Sequence, residues 1–115
     1  MHGEGCPFQA AIDVLSKRHA LTIVWLLQKE SPRRFNAIKR ALAVNPVTLA
    51  QRLEELQGAG IVARREYHEV PPRVEYLLTA KGLDLLPLMQ QLDQWARRHP
   101  ADVLDAGHAT PVAAP

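Results

Sequence analysis

The chain has 115 residues, a length that suits one compact domain and leaves little room for separate catalytic and regulatory domains. With 47% hydrophobic and 23% charged residues, it has enough apolar material for a core and does not have the composition of a disordered chain. The net charge of +2 is too small to indicate a nucleic-acid partner by itself. The distribution of charge along the chain therefore matters more than its sum.

Cysteine usage and hydropathy both favour a cytoplasmic protein. Cys6 is the single cysteine, so neither an intramolecular disulfide nor a cysteine cluster for a metal is possible. The N-terminal residues have no signal-peptide pattern, and the longest apolar run, Ala20 to Leu27, is far shorter than the ~20 residues that span a bilayer. No membrane partner is expected.

Three helices are predicted in the first 42 residues. Apolar residues recur at helical spacing from Phe8 to Leu15, and Pro7 suits the first turn. The segment from Leu21 to Gln28 is apolar nearly all round, which predicts a central core helix. After Ser31 and Pro32, a short third helix carries Phe35, Ile38 and Leu42 on one face.

A fourth helix is predicted from Pro46 to about Ala59, because Asn45 can cap its free amides and proline suits its first turn. Its buried stripe consists of Leu49, Leu53 and Leu56, and Gly60 is suited to the left-handed position that ends it. The third helix, a short turn and this helix form a helix-turn-helix pattern.

The spacing of apolar residues is no longer helical after Gly60. Two β-rich segments, Ile61 to Tyr67 and Arg73 to Leu78, predict a hairpin, and the prolines Pro71 and Pro72 predict a stiff tip that can serve as a wing. Thr79 can cap a final helix from Ala80 to about Arg98, in which Pro87 should cause a kink.

The predicted fold class is therefore mainly α with a small β-hairpin, a winged helix-turn-helix. The predicted domain covers residues 6–99, and residues 1–5 and 100–115 are expected to be flexible tails. The apolar stripe from Leu83 to Trp95 is longer than a chain of this size needs for its own core. A homodimer held by the first and last helices is expected.

Basic residues are concentrated in the middle of the chain. Between Arg33 and Arg73 there are eight basic and four acidic residues. Since the whole chain has 14 basic and 12 acidic residues, the rest of it has six basic and eight acidic ones. In helix-turn-helix proteins the N-terminal half of the second helix reads base edges, and nearby cations hold phosphates. Val47, Thr48 and Gln51 are the predicted base readers, because these side chains can contact a thymine methyl, several bases and adenine, respectively. Nearby basic residues are the predicted phosphate contacts, with Arg52 and Arg73 ranked first: Arg33, Arg34, Lys39, Arg40, Arg52, Arg64 and Arg73. The alternative for any one arginine is a solvated surface position or a salt bridge to Glu66, Glu69 or Glu75.

Several motifs resemble those of the HxlR family of bacterial winged helix-turn-helix regulators. The resemblance rests on the Cys6-Pro7 pair, PRRFNAIKRAL, NPVTLAQRLEELQ and the following run GAGIVARREYHEVPPRVEYLLTAKGLDLLPLM. It covers the chain from Cys6 to Trp95. It implies a cytoplasmic homodimer on operator DNA, with the fourth helix in the major groove. The chain departs from the family at Ser16 to His19, where a glycine-rich turn followed by lysine and tryptophan is usual.

Cys6 is the candidate for a redox switch. Some members of the resembling family sense oxidants or electrophiles through a cysteine just before the proline, and a thiol at a helix N-terminus has its thiolate favoured by the helix dipole. The alternative is a passive small residue. The sequence indicates no cofactor, no particular small-molecule effector, no operator sequence and no direction of regulation.

Three other functions are weaker candidates. A winged helix could bind protein partners without binding DNA, since fold alone does not fix function. A metal sensor would have to draw on scattered ligands: His2, Cys6, His19, His68, His99 and His108. Their spacing is poor for a metal, so no metal site is predicted. No phosphate loop, paired catalytic carboxylates or nucleophile motif is found, so no catalytic residues are predicted.

Overall fold

The computed structural model describes residues 5–100 of the chain. Within this range there are six helices and one antiparallel pair of strands. In chain order they are α1 (Pro7–Leu15), α2 (Ala20–Lys29), α3 (Phe35–Leu42), α4 (Pro46–Gly58), β1 (Val62–Tyr67), β2 (Arg73–Leu78), α5 (Ala80–Leu83) and α6 (Leu86–Arg98). The four predicted N-terminal helices and the hairpin are confirmed, with boundaries shifted by one or two residues. The predicted tails lie almost wholly outside the described residues.

Helix α2 is the centre of the fold, as its apolar sequence predicts. Ile23, Val24 and Leu27 are fully buried, and α2 packs against α1, α3, α6 and β2. The predicted stripe of α4, Leu49, Leu53 and Leu56, is equally buried and completes the same core. By contrast, α1 has no buried residue and lies on the outside of the domain.

The left-handed glycine predicted after α4 and the hairpin predicted after it are both present. Gly60 has φ +76°, the left-handed conformation that glycine adopts without steric cost. From there β1 pairs with β2 in a register that runs from Val62 opposite Leu78 to Tyr67 opposite Arg73. The strands therefore leave the body of the protein at Val62 and reach their tip at residues 68–72.

The predicted single C-terminal helix is wrong: the chain forms two helices, α5 and α6, separated at Asp84 and Leu85. Thr79 caps the first, because its Oγ1 accepts from the amide of Gly82 at 3.0 Å. Pro87 then lies in the first turn of α6, where its missing N–H costs nothing. In a continuous helix its ring would clash with the preceding turn, so the helix is interrupted before it.

A short extra pairing ties the start of the helix-turn-helix to the hairpin. The amide of Arg33 donates to the carbonyl of Tyr76 at 2.9 Å, and the amide of Tyr76 donates back at 2.7 Å. The hairpin is thereby held against the segment that precedes α3. No helix within residues 5–100 combines the length and the apolar character needed to cross a membrane.

Candidate DNA-binding surface

The helix-turn-helix consists of α3, a turn at residues 43–45 and α4. Ala43 adopts a left-handed conformation at φ 52°, and Val44 is buried beneath the turn. The Oδ1 of Asn45 accepts from the amides of Val47 at 2.8 Å and Thr48 at 3.4 Å, so the predicted cap is present. The first turn of α4 is therefore fixed by a local hydrogen-bonded cap.

The predicted base readers lie on α4 but differ in exposure. Val47 is 74% exposed and Gln51, one turn further on, is also exposed. Thr48 is half-buried. Val47, Gln51 and Glu54 border a groove of about 460 Å³, and Arg64 of β1 forms part of its other wall. The groove is thus lined by side chains along one face of α4, with the acidic Glu54 in its second half, and by the base of the wing.

Helix α3 supplies cations close to this surface. Arg34 is the capping residue before α3, Arg40 lies near its end, and both are exposed. They border one shallow hollow together with Val74 of β2. Lys39, which directly precedes Arg40, is half-buried. Within residues 5–100, none of these three side chains has a carboxylate close enough for an ion pair.

Arg33 and Arg52 are held by the protein itself. The Nε of Arg33 donates to the carbonyl of Glu30 at 3.0 Å, and its guanidinium also pairs with the Glu30 carboxylate. The Nε of Arg52 donates to the carbonyl of Arg18 at 2.9 Å, and its Nη1 pairs with Glu55 at 3.2 Å. A phosphate contact by either side chain would have to replace such an intramolecular partner.

The wing is rich in arginine, yet its charges are compensated. The guanidinium of Arg73 lies 4.0 Å from the centre of the Tyr67 ring, 3.0 Å from Glu69 and 3.6 Å from Glu75. These contacts join the two strands at the end of the hairpin, next to the tip of the wing. They also mean that Arg73, one of the two cations ranked first from the sequence, is already paired.

Arg64 and Arg65 lie on β1, between the body and the tip of the wing. The neighbouring Tyr76 hydroxyl raises the pKa of the Arg64 guanidinium, and Glu66, at 3.3 Å, adds to the shift. The hydrogen bond to the Tyr67 hydroxyl likewise raises the pKa of Arg65. Both side chains are exposed and stay positively charged at any pH at which duplex DNA is stable. Tyr76, which also pairs with Arg33, was not predicted from the sequence, because strand alternation alone does not single it out.

Large apolar side chains are also exposed on the first and last helices. Phe8 and Ile12 of α1 are exposed, as are Leu88, Leu92 and Trp95 on one stripe of α6. Cys6 lies at the N-terminal cap of α1 and is half-buried. Among residues 5–100, no three histidine, cysteine or acidic side chains come together in a way that could hold a metal ion. His2 and His108 lie outside the described residues.

A capped helix-turn-helix beside a hairpin wing, with exposed side chains on the second helix and cations on the first, defines a winged helix-turn-helix. The family model for the HxlR-like helix-turn-helix matches residues 14–103. The chain belongs to this family of transcriptional regulators, which are DNA-binding proteins and not enzymes.

Individual relatives agree with this assignment. The chain is 42% identical to the HTH-type transcriptional regulator YvaP of Bacillus subtilis over 95 residues, 81% of this chain and 87% of YvaP. The reduced form of the transcriptional regulator YodB from B. subtilis is similar with a TM-score of 0.72 at 35% identity, covering 79% of this chain and 90% of YodB. The reduced form of the redox regulator HypR is similar with a TM-score of 0.72 at 33% identity, covering 87% of this chain and 98% of HypR. YodB is also known in diamide-treated and quinone-bound structures.

Proposed function

We propose that the protein is a homodimeric, sequence-specific regulator that binds an inverted-repeat operator through α4. The observation that carries this proposal is the exposure of Val47 and Gln51 on the capped N-terminal half of α4. In this class of proteins that half of the helix enters the major groove. Gln51 can pair bidentately with adenine, and Val47 can contact a thymine methyl. Thr48, being half-buried, contributes through its hydroxyl at the edge of the contact.

Phosphates are bound mainly by Arg34, Lys39 and Arg40, whose charges have no carboxylate partner in the described part of the chain. Arg64 adds a contact from the base of the wing, since it borders the same groove as Gln51. Such contacts fix the register of the protein on the duplex without reading its sequence. The tip of the wing contributes more to the shape of the DNA contact than to its positive charge, because the charge of Arg73 is compensated by Glu69 and Glu75.

The dimer forms through the apolar surface of α1 and α6. Phe8, Ile12, Leu88, Leu92 and Trp95 form an exposed apolar set that would be unusual on a monomer of this size. A two-fold dimer covers these side chains and presents two α4 helices to half-sites about one helical turn, ~34–36 Å, apart. The operator is therefore an inverted repeat.

A response to oxidants or electrophiles at Cys6 is the second part of the proposal. The support is the position of this half-buried thiol at the cap of α1, beside the exposed face that carries Phe8. HypR, to which the chain is similar, is a redox regulator, and this similarity supports the same type of control at Cys6. Modification of Cys6 would change the packing of α1 at the dimer contact and with it the spacing of the two α4 helices.

The test begins with selection of bound fragments from the source genome, which identifies the operator. The affinities of the wild type, Gln51→Ala and the control Gln90→Ala are then measured on single-base variants of that site. Gln51→Ala should lose about 1–3 kcal/mol on the operator and relax the preference at one base pair in each half-site. Gln90→Ala, an exposed glutamine of α6, should bind as the wild type does. An unchanged sequence preference in Gln51→Ala refutes α4 as the reader, and the absence of any selected fragment refutes specific binding.

A further inference from the structure

We propose that Arg52 is a positioning residue, which anchors the recognition helix α4 to the turn between α1 and α2, and that it is not a phosphate contact. This inference rests on the proposed function of α4 as the reader of DNA. It assigns to Arg52 a role opposite to the one its charge and place in the motif suggest.

The geometry of the Arg52 guanidinium carries the argument. Its Nε donates to the carbonyl of Arg18 at 2.9 Å, although the two residues are 34 positions apart. Its Nη1 pairs with Glu55 on the next turn of α4 at 3.2 Å. Only 16% of the Arg52 side chain is exposed, against 41% for Arg64. A planar guanidinium that binds a carbonyl and a carboxylate together is held in one orientation.

The anchoring carbonyl belongs to a turn that is itself closely held. Before it, the amide of Ser16 donates to the carbonyl of Ile12 at 2.9 Å, and after it, the amide of Ala20 donates to the carbonyl of Lys17 at 3.0 Å. His19 adopts the left-handed conformation at φ 73°, and its Nε2 accepts from the Nε of Arg18 at 3.2 Å. The turn is therefore a fixed point against which α4 can be oriented.

The consequence for DNA binding follows from the position of Arg52 on α4. It directly follows Gln51, so a loosened anchor changes the angle at which Val47 and Gln51 meet base edges. The cations of α3 are not attached through this contact. Loss of the anchor should therefore lower the preference for operator over unrelated DNA and leave the number of phosphate contacts unchanged.

Three variants separate the two roles. Arg52→Lys retains the charge but cannot reproduce both bonds, Glu55→Gln removes the ion pair and keeps the bond to Arg18, and Arg40→Ala removes a proposed phosphate contact. Affinity for operator and for unrelated duplex is measured over a range of salt, at a temperature where each variant is fully folded by circular dichroism. Arg52→Lys should lower the ratio of the two affinities by about tenfold, since a smaller fraction of molecules holds the competent orientation. Its salt slope should equal that of the wild type.

The controls make the result specific. Glu55→Gln should retain the wild-type ratio, because the bond that joins α4 to the turn is the one from the Arg52 Nε to the Arg18 carbonyl, and Glu55 lies on α4 itself. Arg40→Ala should keep the ratio and reduce the salt slope by about one per protomer. If Arg52→Lys keeps the wild-type ratio, the anchor does not position α4 and the inference is wrong. If the wild type shows no preference for any site, the proposed function fails, which is a different result.

A measurement on the wild type decides the question even if Arg52→Lys does not fold. The Nε–H signals of Arg52 and Arg40 are followed by nuclear magnetic resonance with and without the duplex. An anchored Arg52 should show slow hydrogen exchange in the free protein and little change of its signal on DNA, while the Arg40 signal shifts. Fast exchange of the Arg52 Nε–H, or a shift on DNA as large as that of Arg40, overturns the proposal.

Discussion

Replacement of Trp95 by glutamate should dissociate the proposed dimer. Leu88, Leu92 and Trp95 keep 55%, 50% and 47% of their surface exposed in the single chain. Complete burial of one large apolar side chain contributes ~1.5–3 kcal/mol, so covering the exposed half of Trp95 is worth roughly 1 kcal/mol. A two-fold dimer counts this position twice, so the substitution removes roughly 2 kcal/mol, or about 30-fold in the dissociation constant. Two carboxylates at the contact add a desolvation cost, so 30-fold is a lower value.

The assay is sedimentation velocity over a range of micromolar concentrations, with Gln94→Glu as the matched control. This control adds the same charge at the neighbouring exposed position of α6, outside the apolar stripe. Trp95→Glu should sediment as a monomer and lose tight operator binding, because one half-site alone binds weakly. Gln94→Glu should remain dimeric. A Trp95→Glu protein that dimerises as tightly as Gln94→Glu would refute this interface, and a monomeric wild type would refute the dimer itself.

Two further predictions concern Cys6 and a pair of glycines. Oxidation should change the operator affinity of the wild type reversibly. Mild peroxide converts Cys6 to a sulfenic acid, whereas diamide takes two electrons and two protons from two Cys6 thiols and leaves a Cys6–Cys6 bridge across the dimer; an added small thiol turns either reaction into a mixed disulfide. Cys6→Ser should not respond, and an equal response of both proteins rules the switch out. Gly82→Ala should lower the free energy of unfolding by about 1–3 kcal/mol, because its Cβ would lie 2.3 Å from the Ile61 carbonyl oxygen. Gly58→Ala, with nothing within 4 Å, should be neutral or stabilising in urea unfolding, and equal losses would contradict the packing argument.

Periodicity was sufficient to predict most of the fold. The nearly all-apolar segment around Ile23 and Val24 predicts a helix that is buried on all sides, and α2 is that helix. Asn45 and Gly60 mark the ends of α4, because capping and a left-handed stop are local effects that depend on few residues. Local chemistry of this kind is readable from sequence, since the partners lie within one turn of each other.

The features that the sequence does not predict depend on contacts between residues far apart in the chain, or on which of several carboxylates a basic side chain meets. The sequence predicts only a kink at Pro87, because the apolar stripe continues through it, whereas the helix is interrupted before this proline and the chain forms two helices. The contact of Arg52 with the Arg18 carbonyl joins residues 34 positions apart, and the sequence pattern of α4 does not predict it. The sequence leaves open whether Arg73 meets a phosphate or pairs with Glu69 or Glu75, and only the closed hairpin shows that both carboxylates become its neighbours. Charge is visible in a sequence, whereas the pairing of charge is not.

This pairing has a consequence for how the protein would recognise DNA. Four of the eight basic residues between positions 33 and 73 form ion pairs within the described structure: Arg33, Arg52, Arg64 and Arg73. Coulombic attraction to the duplex then depends on few free cations per protomer, and sequence-independent affinity rises with the number of phosphates neutralised. A protein with modest attraction of this type gains selectivity when base contacts supply a larger share of the binding energy. If α4 reads the operator as proposed, its orientation, and therefore the contact that holds it to the α1–α2 turn, should matter more than the total positive charge of the surface.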